Sequence, residues 1–505
     1  MISRAITNSD LNQDETATSF SSRSGVDPHP QSLDIAYLSI AELKRRYASG
    51  ALTLELMVEK LTNRIDTING GSIELNAIIE LDPLLNQNID AFGDPDEREL
   101  WGVPVLVKDN IEVAGWNSGA GSLAFGEPAL HDAPLITRLR ESGALLIGSA
   151  NMSEWSAASS SDLEEGYSDR GGLTGNPWAL DRSAGTSSSG SAAAVAAGLA
   201  TIAIGTETVG SLAQPASYCG VYAMKATRGL VSNEGIVPYS KSQDSPGVFA
   251  RSIDDLEIGM SVLAGKRFQM ELTPEIRFLM DKDLDDPTQT SRDLRDAYLA
   301  FCEALRRGGS ESCVMKRTTD GLANEMDTLL LAELNRDLSH YLKNRNGSRW
   351  QKLEDAISPQ NFPMPPFVEK PLNDRFEAAL RAPNIDIESL REQCEVQVIE
   401  ILEKCLDGSD VLVGISYGPP PKLDMKRKSR SQVGNYMSFL DGLSSFAGWP
   451  AIYMPMDFLD GVPVGLALVG RPNCEGGLLG AARGVASRLN TSTIAQPLWV
   501  RAGRG

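Results

Sequence analysis

Apolar residues fall along this chain in two registers. Leu54, Met57, Val58, Leu61 and Ile65 recur three or four positions apart, so TLELMVEKLTNRIDTI is predicted to be a helix buried along one face. SIAELKRRY opens another, because Ser39 and Glu42 have the spacing of a capping box. The second register consists of short unbroken apolar runs: VPVLV ending at Lys108, ALLIG (144–148), TIAIG (201–205), PAIYMPM (450–456) and VGLALVG (464–470). Runs of this length between turn residues predict buried strands. Helical stretches lie between them: APLITRLRESG, stopped by Gly143, a small-residue helix from about Gly190 to Leu199, and GGLLGAARGVASRLN near the end. Strands alternating with helices predict an α/β fold with a mixed, mostly parallel central sheet flanked by helices.

Between about 266 and 410 the pattern changes: charge rises, long amphipathic stretches such as MDTLLLAELNRDLSHYLKN dominate, and a proline-rich break, NFPMPPF (361–367), interrupts them. This predicts a helical insertion at 266–410 within a single domain spanning 38–505. Residues 1–37, rich in Ser, Thr and Asp, are expected to form a disordered or extended tail.

Composition narrows the function classes. The chain has 505 residues, 42% of them hydrophobic, enough for a large core without disulfide or metal staples. Lys and Arg number 47 against 67 Asp and Glu, a net charge of −20 that disfavours nucleic acid and anionic membranes as partners. No apolar run reaches the roughly 18 residues of a membrane span, and the N-terminal stretch lacks a signal-peptide core. The six cysteines, from Cys219 to Cys474, form no CxxC pair; reduced thiols in a cytoplasmic protein fit them better than a disulfide framework or a zinc site. Histidines number only three, His29, His131 and His340, which leaves few candidates for an imidazole base.

Several motif matches do not hold. GISYG (414–418) matches a nucleophile elbow, but three prolines follow where that elbow needs a helix, and no histidine lies beyond His340. GAGSLA (119–124) has dinucleotide-fingerprint spacing without a strand leading into it, so it reads as a loop. MKRKSR (425–430) reads as a solvated basic face, and His131, opening HDAPLITRL, as a structural or capping residue.

Three stretches carry more chemistry. GVPVLVKDNI sets Lys108 at the end of an apolar strand, where loss of solvent lowers an ammonium pKa towards that of a usable base; alone, the same pattern also suits a lysine reaching to the surface. GTSSSGSAAAVAAG (185–198) crowds serines into a glycine-bracketed turn. GTETVGSLAQPAS (205–217) runs from a strand through small residues to Ser211; the backbone N–H groups of Thr208, Val209, Gly210 and Ser211 could form an anion-binding nest, or simply a structural turn.

In this order the three stretches closely resemble the amidase signature family. The likeness runs nearly continuously from about 100 to 265 and resumes near 443–490, and SEWS, GYSDRGGLTGNPW, SQDSPG and LNRDLSHYL are most similar to its peptide amidase branch. The resemblance implies a Ser-Ser-Lys triad with Ser211 as nucleophile, Ser187 as bridging serine and Lys108 as base. The family's two serines stand 24 residues apart, as Ser187 and Ser211 do, which selects Ser187 over Ser188 and Ser189. It further implies an oxyanion hole of the 208–211 amides, supporting roles for Ser188, Thr206 and Glu207, and a cis peptide bond entering Ser187, although Thr186 replaces the family's usual glycine. Val209, Ala213 and Ala226 also depart from the family's usual residues.

The function so implied is an amidase acting on a small carboxamide or short peptide amide through an acyl-enzyme, with no metal and no cofactor, and with the 266–410 insertion shaping the substrate mouth. Alternatives are a biosynthetic acyl transferase using the same acyl-enzyme, a tRNA-dependent amidotransferase A-type subunit, and a non-catalytic amide-binding descendant.

Overall fold

A computed structural model describes residues 35–489 and 497, apart from 72, 86–88, 90–91, 126, 159–163, 271–273, 287–289, 316–319, 346–347, 349, 357–373, 425–428 and 431–438. The proline-rich break, most of the basic run and residues 1–34 of the expected tail lie outside the described residues. Ile35–Gly505 form one compact unit. Ile35–Tyr37, expected to belong to the tail, are part of it: Ile35 and Ala36 are buried, and the Tyr37 ring lies 5.4 Å from the Arg64 guanidinium and 5.5 Å from that of Arg251.

Helices α1 (Ile40–Ala48) and α2 (Leu54–Ile68) precede strand β1 (Ile78–Leu81). The predicted cap is present, with Ser39 Oγ accepting from the Glu42 amide at 3.3 Å. Next come β2 (Pro104–Lys108), α3 (Pro134–Glu141) and β3 (Leu145–Ala150). A small ribbon, β4 (Tyr167–Ser168) with β5 (Gly172–Leu173), leads to α4 (Ser189–Ala196), β6 (Ile202–Glu207), α5 (Ala213–Cys219), β7 (Tyr222–Lys225), β8 (Ser245–Ala250) and α6 (Ile253–Ala264). The change of texture in the sequence corresponds to β9 (Ile276–Asp281), α7 (Arg292–Arg307), β10 (Glu311–Met315), α8 (Asp320–Asn344), α9 (Leu353–Ala356), α10 (Asp374–Leu380) and α11 (Ile387–Leu406). The chain then forms β11 (Val411–Ile415), the short pair β12 (Leu423–Asp424) and β13 (Ser429–Arg430), α12 (Leu440–Ala447), the hairpin strands β14 (Ala451–Leu459) and β15 (Val462–Gly470), and α13 (Glu475–Leu489).

The central sheet has eleven strands in the order β1-β3-β2-β6-β8-β7-β14-β15-β11-β9-β10. It is mixed and flanked by helices, as expected, but not mostly parallel. Only β2 with β3 and β6, and β9 with β10 and β11, run parallel; the other neighbours are antiparallel. Both faces of the central strands are covered, so their apolar runs carry no alternation that would distinguish the two directions. The 266–410 segment is also not purely helical, since β9 and β10 extend one edge of the sheet. Its helix α8 joins the body through a second core, where Leu334, Leu338 and Leu342 are buried with Phe125, Trp155, Trp350 and Phe376. The Phe125 ring lies 5.2 Å from both Trp155 and Trp350, favourable spacing for aromatic pairs.

Candidate active site

The parallel pairing of β2 with β6 assembles the site. Val107 stands beside Ile204, so the C-terminal ends of the two strands lie side by side and bring Lys108 and Thr206 together. The serine turn before α4 lies against this end of β6. Ser188 Oγ accepts from the Thr206 amide at 3.3 Å and donates to its carbonyl at 3.0 Å, fixing the turn to the strand.

Lys108 is fully buried, and its Nζ lies 2.7 Å from Ser187 Oγ and 2.9 Å from Thr206 Oγ1. Ser187 Oγ is in turn 3.0 Å from Ser211 Oγ. A hydroxyl both donates and accepts, so a proton can pass along this line in either direction. Burial pushes the Lys108 ammonium down to about 7, against the opposing pull of the Asp244 and Glu207 carboxylates. Lys108 is therefore available as a neutral base near neutral pH. Asn110 Nδ2 donates to Thr206 Oγ1 at 3.0 Å and steadies the lysine's second partner.

The peptide bond between Thr186 and Ser187 is cis. Thr186 fits at the position where the family usually has glycine. Its amide donates to Gln214 Oε1 at 2.7 Å, its Oγ1 lies 2.7 Å from Ser153 Oγ, and the Ser187 carbonyl accepts from the Ser153 amide at 3.0 Å.

Ser211 sits in the turn between β6 and α5, and Glu207 fastens that turn from below. Glu207 Oε2 accepts from the amides of Leu212 at 2.8 Å and Ala213 at 3.0 Å. Its Oε1 meets Lys225 Nζ at 2.9 Å and accepts from Tyr453 Oη at 2.7 Å. Burial pushes the Glu207 carboxyl up, but Lys225 and these hydrogen bonds outweigh it and hold the group below the usual carboxylate range. Removing one partner of a buried pair leaves an uncompensated charge. Glu207→Gln is accordingly expected to lower unfolding free energy by about 3–5 kcal/mol, seen as a lower denaturant midpoint.

Thr208, Val209, Gly210 and Ser211 form the turn whose amides are the candidate oxyanion donors. Val209 is partly exposed at its rim. Gly210 has φ +76°, and a Cβ there would come within 2.6 Å of Tyr417 Oη and 3.1 Å of Asp441 Oδ2. That hydroxyl donates to that carboxylate at 2.9 Å. Gly210→Ala is expected to displace the turn and cost about 10²-fold in turnover, the scale of losing one oxyanion donor; unchanged steady-state rates would refute this.

The structure thus brings together Lys108, Ser187, Ser211, Ser188, Thr206 and Glu207. Asn110, Lys225, Asp244, Tyr417, Asp441 and Tyr453 were not singled out from the sequence. Lys225 was within reach: YAMK is an apolar strand closing on a lysine, the same signal that marked Lys108. His131 is exposed and stands two residues before the α3 N-cap, Ala133. GISYG leaves β11 without a following helix, and in GAGSLA the Gly121 amide donates to Asp109 Oδ2 at 2.8 Å. All six cysteines are outside any disulfide. Among the described residues, no group of three or more His, Cys, Asp or Glu could hold a metal ion, and no helix is long and apolar enough to cross a membrane.

Comparison with known proteins matches residues 57–479 to the family model called Amidase. The A-type subunit of the glutamyl-tRNA(Gln) amidotransferase from Symbiobacterium thermophilum is 30% identical over 463 residues, covering 86% of this chain and 93% of that protein. The native peptide amidase from Stenotrophomonas maltophilia superposes with a TM-score of 0.79 at 28% identity, over 92% of this chain and 99% of that one. The A-type subunit of the glutamyl-tRNA(Gln) amidotransferase from Thermotoga maritima shares the fold, with a TM-score of 0.66 at 22% identity over 92% of this chain and 98% of that one.

Proposed function

The chain belongs to the amidase family, whose enzymes act on C–N bonds, and from that premise we propose that it is a serine amidohydrolase cleaving a small carboxamide or the C-terminal amide of a short peptide. The observation that carries this reading is the buried line from Lys108 Nζ through Ser187 Oγ to Ser211 Oγ, at 2.7 and 3.0 Å.

Neutral Lys108 takes the proton of Ser187 as Ser187 takes that of Ser211, and Ser211 Oγ attacks the amide carbonyl. Negative charge develops on the carbonyl oxygen and meets the 208–211 amides. The proton returns through Ser187 to the leaving nitrogen as the C–N bond breaks, leaving an ester on Ser211 and a free amine or ammonia. Water then enters, loses a proton along the same line, and releases the carboxylic acid. Every proton that leaves a nucleophile reaches a leaving group, and no electron transfer is involved. The 266–410 segment shapes the substrate mouth in this reading, because α8 binds the 239–242 loop beside the nucleophile turn.

The 30% identity to a tRNA-dependent amidotransferase chain over 86% of this one favours a second reading, an A-type subunit that uses the same acyl-enzyme chemistry with partner chains and tRNA. Product analysis separates the two. The isolated chain, given labelled aryl, aliphatic and peptide amides with and without an added amine, is expected to yield the carboxylic acid. Transfer to the amine would establish an acyl transferase, and turnover that required partner chains would establish the second reading.

A further inference from the structure

Asp244 lies just before β8, is buried, and belongs to none of the proton-transfer steps above. Both of its carboxylate oxygens accept hydrogen bonds. Oδ1 accepts from Thr208 Oγ1 at 2.5 Å, and Oδ2 accepts from the amides of Tyr239 at 2.8 Å and Ser240 at 3.1 Å. Thr208 begins the turn that carries Ser211, so Asp244 holds the start of that turn while Glu207 holds its end at Leu212 and Ala213.

The loop that Asp244 organises is clamped in turn by the polar face of α8. The Lys241 amide donates to Asp337 Oδ2 at 2.8 Å, Ser242 Oγ donates to Glu333 Oε2 at 2.6 Å, and Ser240 Oγ donates to the same oxygen. Glu333 and Asp337 flank and belong to LNRDLSHYL, the stretch of the insertion singled out in the sequence. Arg336 pairs with both carboxylates, and Arg375 donates to Tyr239 Oη at 3.1 Å. On the sheet side, Lys108 from β2, Glu207 from β6 and Lys225 from β7 are charged groups near the nucleophile turn, Asp441 from α12 faces it at Gly210, and Arg228 Nη1 donates to the Ser242 carbonyl at 2.8 Å.

We propose that Asp244 is a positioning residue for the amidase reaction: through Thr208 it fixes the oxyanion turn, with Glu333 and Asp337 of α8 holding its loop in place. This rests on the amidohydrolase reading for its link to catalysis, while its electrostatic consequence, a minor one beside burial, concerns Lys108 alone. The carboxylate stabilises the ammonium form, so its charge raises the pH at which Lys108 becomes a base. Burial pushes Asp244 itself up to about 7, so the two groups exchange protons with solvent over the same pH range and each alters the other's titration.

Two readouts test this in the full-length protein. The first is the Lys108 titration midpoint by NMR of protein carrying ¹³C-labelled lysine, with Lys108→Met assigning the signal. The second is the pH dependence of fluorophosphonate labelling of Ser211. Asp244→Asn keeps the side-chain shape and removes the charge. It is expected to lower the Lys108 midpoint by about one pH unit and to move the acid limb of labelling with it. Thr208→Val keeps the charge and removes the hydrogen bond, and is expected to slow labelling about tenfold with the midpoint at its wild-type value. An unchanged midpoint in Asp244→Asn overturns the electrostatic role, and an unchanged rate in Thr208→Val overturns the positioning role. Should Asp244→Asn not fold, the wild-type Lys108 curve decides: two steps support the coupling, and a single step overturns it. Failure of the wild type to label, with the midpoint still shifted in Asp244→Asn, would reject the amidohydrolase reading and leave the electrostatic inference standing.

Discussion

Replacing Ser211 with alanine is expected to abolish labelling by a serine-directed fluorophosphonate and to lower amide turnover by about four to six orders of magnitude, while the chain stays folded. The change removes one hydroxyl oxygen. It leaves Glu207's hydrogen bonds to the Leu212 and Ala213 amides, which hold the turn, and it leaves the Ser211 carbonyl that accepts from the Ser188 amide. Ser187 is not a substitute nucleophile: it is 1% exposed against 7% for Ser211, and it lies between Lys108 and Ser211. The residual rate should reflect substrate binding and the oxyanion turn alone. Intact-mass spectrometry after probe treatment reads the outcome directly. A Ser211→Ala chain that gained the same adduct at the same rate would remove Ser211 from the mechanism.

Lys108→Met tests the base, with two expected effects of opposite sign. Turnover should fall by about 10²–10⁴-fold, the usual contribution of a positioned general base. In the wild type, kcat/KM should fall tenfold per pH unit on the acid side of a midpoint near 7, because the protonated amine cannot accept a proton. The variant should lose that limb. Stability should move the other way. Lys108 titrates at about 7 when folded and near 10.5 when unfolded, so between those values the unfolded chain holds a proton that the folded chain lacks. Wild-type stability therefore declines as pH falls from 10.5 to 7 and bears the full penalty below 7, on the order of 4–5 kcal/mol before the lysine's hydrogen bonds offset part of it. Lys108→Met removes this term. Its unfolding midpoint should exceed that of the wild type at pH 7, and the difference should shrink as pH rises towards 10.5. A variant less stable at pH 7, or an advantage independent of pH, would show that the buried lysine is not held in a desolvated state.

The candidate triad is legible in the sequence through the resemblance of three stretches to the amidase signature family, whose 24-residue serine spacing selects Ser187; the apolar run closing on Lys108 and the two small-residue turns by themselves leave structural readings open. The helices at 40–48, 54–68 and 475–489 are legible because caps and apolar spacing are local properties of the chain. The support of the site is not. Glu207 depends on Lys225 from β7 and on Tyr453, 246 positions away, and Ser240 and Lys241 of the loop that Asp244 organises are held by α8 residues more than ninety positions on. Nothing in the spacing of those residues brings them together. Their meeting follows from antiparallel pairings that a doubly covered sheet conceals and from the second core that seats α8 against the body. The amino-acid sequence by itself, through its likeness to the family, determined which residues are candidates for the chemistry, because the motifs that carry the likeness are strand ends and turns set by neighbouring residues. Only the tertiary structure decided how firmly the nucleophile turn is held and which charges surround the lysine, because burial and electrostatic fields are set by residues distant in the chain.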